Sequence, residues 1–218
     1  MAVLPGIGFN YEDTAFEVEN TGHVVEVVYE PGSFIQLGVS VTDVYQLIQF
    51  HFHAPSEHTV NGQQYDAEVH LVHQNILGQY AVIGVLLSES GTAAPSLFDT
   101  ILQTVPITTQ TTGSIEGASL NAMALLPEDL TYFTYSGSLT TPPCTEGVRW
   151  FVMQSPVLVS DYVIQQLHAA ASQFPGYNGF PNNNRPVVPL NGRTVLLGVD
   201  GYGYWGATGN HTPFLPRN

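Results

Sequence analysis

Residues 49–58 read Gln49-Phe50-His51-Phe52-His53-Ala54-Pro55-Ser56-Glu57-His58, and residues 66–73 read Asp66-Ala67-Glu68-Val69-His70-Leu71-Val72-His73. Side chains on a strand alternate between two faces. His51 and His53 therefore point one way with Gln49, while Phe50 and Phe52 point the other way, where they suit a core. On the second stretch Glu68, His70 and Val72 share a face. Residues 54–65 carry an Asn61-Gly62 turn, so the two stretches pair easily as antiparallel strands. Such a pairing sets His70 opposite His51 and His53. Three neutral imidazoles converging on one point make a zinc site of the catalytic kind, with the fourth tetrahedral position open to water. Ligating imidazoles also need an acceptor for the other ring N–H. Gln49 and Glu68 each stand two residues before a ligand, on the ligand's own face. His58 and His73 fall out of phase and read as buried, hydrogen-bonded histidines.

The rest of the chain supplies a strand-rich setting. Turn signals recur at Asn20-Thr21-Gly22, Pro31-Gly32, Asn61-Gly62, Ser90-Gly91, Ser136-Gly137 and Asn191-Gly192. Between them lie runs rich in Val, Ile, Phe and Tyr, which predict strands at 15–19, 23–29, 33–37, 44–53, 66–73, 80–87, 131–135, 146–153, 156–159 and 194–197. Helical spacing is convincing in residues 95–105 and in 161–171, the latter with Ser160 as N-cap. No linker, charge block or repeat divides the chain. One mostly β domain over 1–218 is expected, with an N-terminal arm at 1–14 and a surface-hugging tail at 199–218.

Composition narrows the function. The 218 residues are 44% hydrophobic, enough for a sizeable core. Only 10% are charged, with 18 acids against four bases and a net charge of −14. The bases are Arg149, Arg185, Arg193 and Arg217, and lysine is absent. Missing bases argue against nucleic acid, whose phosphates need neutralising, and against an anionic membrane surface. No run approaches the ~20 apolar residues of a membrane span. The N-terminal residues lack a signal peptide's basic and apolar regions, so a cytoplasmic protein or a mature chain is expected. Cys144 is the single cysteine, which excludes an internal disulfide and a thiolate zinc cluster.

Two families resemble the histidine pattern. His51-x-His53-x3-Glu57 has the form of the first cupin motif, in which Glu57 would bind iron or manganese. No Pro-x-Gly turn precedes His70, as a cupin's second motif would require. The longer resemblance is to the α-class carbonic anhydrases. It is carried by Gln49 to His53, Ser56-Glu57-His58-Thr59-Val60, and Ala67 to His73. It continues through Tyr135-Ser136-Gly137-Ser138-Leu139-Thr140-Thr141-Pro142-Pro143, Glu146 and Trp150. It closes with Asn183-Asn184-Arg185-Pro186 and Pro189-Leu190-Asn191-Gly192-Arg193. Cys144 and the short loop after His53 resemble the bacterial branch. That branch is usually exported, which implies a periplasmic or extracellular mature chain.

The resemblance implies a large, twisted, mainly antiparallel sheet of about ten strands, with zinc at the base of a cone-shaped cleft. It implies reversible hydration of carbon dioxide to bicarbonate and a proton by zinc-bound hydroxide. His51, His53 and His70 would bind Zn2+. Gln49 and Glu68 would orient the first and third ligands, and a carbonyl near Asn183 would orient His53. Thr140 would accept a hydrogen bond from the hydroxide and donate its own proton to Glu57, and Thr141 would line the bicarbonate site. Val72, Val82, Leu139, Val148 and Trp150 would form the apolar wall for carbon dioxide, and His23 would shuttle protons. Glu26 stands where the family often has a neutral polar residue, so an acid there could hold the shuttle imidazole or raise its pKa. Only 22 residues precede His23, none of them cysteine, so the family's N-terminal cover and the disulfide partner of Cys144 are not expected. A homodimer is an open expectation. The alternative in a different class is a non-catalytic carbonic-anhydrase-like binding module. Such modules typically lose ligand histidines, and this chain keeps three.

Overall fold

The computed structural model describes residues 6–106, 108–173 and 182–199. The strands in chain order are β1 (Gly8–Asn10), β2 (Thr14–Asn20), β3 (Val25–Tyr29), β4 (Phe34–Gln36), β5 (Val44–His53), β6 (Thr59–Val60), β7 (Gln63–Gln64), β8 (Ala67–Asn75) and β9 (Tyr80–Glu89). Helix α1 (Leu97–Thr104) follows, then β10 (Thr111–Gly113), β11 (Ser119–Leu120), β12 (Tyr132–Ser138), β13 (Glu146–Met153), β14 (Val157–Val159), α2 (Asp161–Ala171) and β15 (Leu196–Gly198). Among the described residues, thirteen strands form one sheet, with the central path β10-β2-β3-β5-β8-β9-β13-β12-β15, and β6 and β7 make a separate hairpin. The sheet is antiparallel except where β9 meets β13 and β14. The expectation of a large, mainly antiparallel sheet holds, with more strands than the ten expected because six of the thirteen are only two or three residues long.

β5 and β8 are antiparallel, with His51 directly opposite His70. The alternation along β5 holds only in two halves. Tyr45 and Leu47 are buried, and so are Phe50 and Phe52. These four keep one face because the register slips between Leu47 and Gln49. A bulge of this kind re-aims the residues after it. Here it turns Gln49, His51 and His53 to the site while Tyr45, Leu47, Phe50 and Phe52 all stay in the core. The core face packs on the helices, with Phe52 and Phe98 edge to face at 6.2 Å between ring centres. A smaller apolar cluster, Val72, Val82, Leu86, Val148, Trp150 and Val152, lies on the cleft side.

Both expected helices form. Ser160 caps α2 by accepting a hydrogen bond from the Val163 N–H at 3.3 Å. The Asp99 carboxylate accepts from the Ser96 N–H at 2.7 Å and from the Ser160 hydroxyl at 2.7 Å, so one side chain ties the starts of both helices. Burial disfavours ionisation of Asp99, yet these donors outweigh it and lower its pKa.

Three expectations need correction. Within the arm expected at 1–14, Gly8–Asn10 is a sheet strand paired with Phe34–Gln36, and residues 1–5 lie outside the described residues. His23 lies outside β3, in the turn before Val25. The Asn61-Gly62 turn closes the short β6–β7 hairpin within the β5–β8 connection, with φ of 52° and 79°. Of the tail at 199–218, all but Val199 lies outside the described residues.

Candidate metal centre and its cleft

His51, His53 and His70 can each offer one ring nitrogen to a common point, these atoms lying within 4.8 Å of one another. The outer nitrogens are already engaged. His51 Nδ1–H donates to Gln49 Oε1 at 2.8 Å, His53 Nδ1–H to the Asn183 carbonyl at 2.9 Å, and His70 Nε2–H to Glu68 Oε1 at 2.9 Å. Because each acceptor has no proton to give, each ring must carry its hydrogen there. The lone pairs are thus left on His51 Nε2, His53 Nε2 and His70 Nδ1. His53 Nε2 is buried and has no hydrogen-bond partner, a costly state for a polar atom unless a ligand meets it. Burial first, and then the neighbouring imidazoles, hold His51 well below the usual imidazole range, and burial likewise lowers His53. Neutral imidazoles are the form that binds a metal. Residues and donor set therefore fit a zinc ion.

Glu68 anchors more than one ligand. Its Oε2 accepts from the N–H groups of Glu57 and His58, each at 2.9 Å, and its Oε1 accepts from His58 Nδ1 at 2.6 Å as well as from His70. His58 Nε2 shares a 2.6 Å hydrogen bond with the Tyr135 hydroxyl. Burial disfavours charge on both Glu68 and His58. Their mutual attraction outweighs it, holding the Glu68 carboxyl well below its usual range and raising His58. The space for this carboxylate comes from Gly84, opposite His70 on β9. An isolated glycine in an apolar strand signals such a close approach, and was the one clue to it in the sequence. The His58–Tyr135 link had no comparable signal.

The segment around Asn183 completes the base of the site. The Asn183 amide accepts from the Ala54 N–H at 3.0 Å and donates to the Phe52 carbonyl at 2.9 Å. Glu57 Oε1 accepts from the Arg185 N–H and lies 3.5 Å from His53 Nδ1. Glu57 Oε2 is buried without a partner. The hydrogen bond expected from Thr140 to Glu57 is not made: the Arg185 N–H engages one carboxylate oxygen, and the other has no hydrogen-bond partner and lies 3.9 Å from His70 Nδ1.

A cleft of about 240 Å³ opens above His51 and His70. Val72, Val82, Leu139 and Trp150 line it, as do Thr140 and Thr141. Val148 does not line the cleft; it packs in the same apolar cluster as Val72, Val82 and Trp150. Val24, Glu26, Ile48 and Tyr80 also line the cleft, outside the expected set. Glu26 stands opposite His51 across β3 and β5; burial, and then Glu19, raise its carboxyl pKa. His23 is exposed and does not line the cleft, although its neighbour Val24 does. Cys144 is a half-buried free thiol.

The profile of eukaryotic-type carbonic anhydrases matches residues 3–198. A carbonic anhydrase of Nostoc sp. is 43% identical over 190 residues, which are 87% of this chain and 67% of that protein. One from Pectobacterium carotovorum is 38% identical over 180 residues, covering 83% of this chain and 68% of its own. Among solved structures, a hyperthermostable carbonic anhydrase from an active hydrothermal vent chimney superposes with a TM-score of 0.79 at 39% identity, covering 90% of this chain and 82% of that one. The α-carbonic anhydrase of Thermovibrio ammonificans, solved with the inhibitor sulfanilamide, gives a TM-score of 0.77 at 37% identity, over 89% and 80% of the two chains.

Proposed function

The chain belongs to the eukaryotic-type, or α, carbonic anhydrase family and is a carbonic anhydrase, and from that premise we propose that it hydrates carbon dioxide reversibly at a zinc ion held by His51, His53 and His70. The observation that carries this reading is the set of three imidazoles with tethered outer nitrogens and one buried, unpartnered inner nitrogen, His53 Nε2. Zinc bound there supplies a water whose pKa falls to about 7, hence a nucleophile at neutral pH.

The protein's own groups do the rest. Gln49, Glu68 and the Asn183 carbonyl fix the tautomer and direction of each ring. Val72, Val82, Leu139 and Trp150 offer apolar carbon dioxide a dry surface beside His51 and His70, with Val148 packed in the same apolar cluster. Glu57 Oε2, which has no hydrogen-bond partner, is free to accept from the Thr140 hydroxyl once the Thr140 loop closes on it, which would direct that hydroxyl's own lone pairs toward the cleft. Thr141 borders the product. His23, exposed and one residue outside the cleft lining, takes protons out to buffer, a task to which an imidazole is suited.

Metal analysis with stopped-flow hydration tests the proposal. One zinc per chain and hydration blocked by sulfanilamide are expected. Full zinc without hydration would leave only the non-catalytic module. Zinc content unchanged in His53→Ala would overturn the ligand assignment.

A further inference from the structure

Arg185 touches both halves of the machinery around Thr140. Its backbone N–H donates to Glu57 Oε1. Its guanidinium reaches in the other direction, Nη1 donating to Ser138 Oγ at 3.3 Å. Ser138 is the last residue of β12, at a point where the register with β13 shifts. Its carbonyl accepts from the Trp150 indole N–H at 3.0 Å. Beyond it, residues 139–145 close on themselves: the Leu139 N–H donates to the Thr145 carbonyl and the Cys144 N–H to the Thr141 carbonyl, both at 2.9 Å. A loop tied by its own backbone moves as a unit about its root. Holding Ser138 thus sets where Thr140 stands. The glycine before it, Gly137, leaves no slack on the other side, since a methyl there would lie 2.7 Å from the Tyr135 ring and 3.0 Å from Trp150.

We infer that Arg185 is a positioning residue: its guanidinium clamps the root of the Thr140 loop at Ser138 while its backbone holds Glu57, so that one residue sets the gap between the two. This rests on the reading of Glu57 and Thr140 given above. The other carboxylate oxygen of Glu57 has no hydrogen-bond partner and is free to accept one. The same strap carries Asn183, whose carbonyl holds His53, so loss of the guanidinium leaves the metal ligands tethered and loosens only the loop.

Arg185→Met keeps the side-chain stem and removes the guanidinium; Ser138→Ala removes its partner from the other side. A hydrogen bond to a charged group corresponds to about a tenfold change in rate. Each variant should lower kcat about tenfold with zinc content unchanged, and the double variant should be no slower than either. Arg185→Lys should recover part of the loss. On a Thr140→Ala background, neither change should slow the enzyme further, because the clamp acts only through that hydroxyl. Losses that multiply on that background, or full turnover in both single variants, would overturn the inference while leaving the role of Thr140 intact. A Thr140→Ala enzyme with full turnover would instead overturn the reading of Thr140, and the clamp with it. Loss of zinc in Arg185→Met and Ser138→Ala alike would mark the contact as structural and also overturn the inference.

Discussion

A methyl group on Gly84 would stand 2.7 Å from Oε1 of Glu68, the oxygen that holds His70. The two cannot coexist without movement, and the carboxylate, pinned by four donors, has nowhere cheap to go. Gly84→Ala should therefore weaken zinc binding, by about ten- to a hundred-fold for a disturbed ligand partner. Competition with a chromophoric chelator reads this directly. Unchanged zinc affinity would show that Glu68 is not what orients His70.

Glu57 and Thr140 should act as a unit. Glu57→Ala and Thr140→Ala are each expected to cut turnover by similar factors with zinc still bound, and the double variant should lose little more. Steady-state hydration rates of the four enzymes complete the cycle. Strict additivity would mean that the free Glu57 oxygen is not the acceptor for that hydroxyl.

His73 makes stability depend on pH. It is wholly buried against Tyr11, whose hydroxyl lies 2.8 Å from its Nε2, and burial lowers its pKa to about 3. In the unfolded chain an imidazole takes up its proton near pH ~6.5. Between those values the unfolded chain holds a proton that the folded one does not, so stability is full above about 6.5 and drains as pH falls toward 3. The limiting slope for this one group is about 1.4 kcal/mol per pH unit. Urea melts at pH 7 and pH 5 should show a larger loss for the native chain than for His73→Gln. Equal losses would place the acid sensitivity elsewhere.

His23→Ala should slow hydration in dilute buffer, recover with added imidazole, and leave kcat/KM nearly unchanged. Exposure of the ring and its place one residue outside the cleft lining favour proton exchange with buffer over any structural duty. Equal losses in both parameters would argue for a packing role instead.

That His51, His53 and His70 would meet was legible from the alternation around the histidines, although the Asn61-Gly62 turn expected to join their strands closes a separate hairpin. The helices were legible for a similar reason: Ser160 and the spacing of Leu97, Phe98, Ile101 and Leu102 are local signals. The bulge at Ile48 was not, since the adjacent Leu47 and Ile48 break the alternation without saying which of them the partner strand will skip. β10 and β11 were missed because their strand character comes from pairing with β2 and not from their own side chains. The Asn183 carbonyl came into view only through family likeness, as a backbone oxygen leaves no mark on a sequence. The Arg185 contacts left none either. The expected Thr140–Glu57 bond is not made, and the donor found at Glu57, a main-chain N–H 128 residues away, leaves no mark on a sequence.

The three imidazoles belong to a single antiparallel pair of strands, whereas the carbonyl that steadies His53 is 130 residues further along. Closing a short loop is quicker than closing a long one. The ion-binding corner can accordingly assemble while the strap is still loose, and even before a ribosome has made it. Capture of metal and final locking of the second ligand are then separate events in time. Pulsed hydrogen exchange during refolding should find the amides of β5 and β8 protected before that of Arg185, and simultaneous protection would show that corner and strap fold as one.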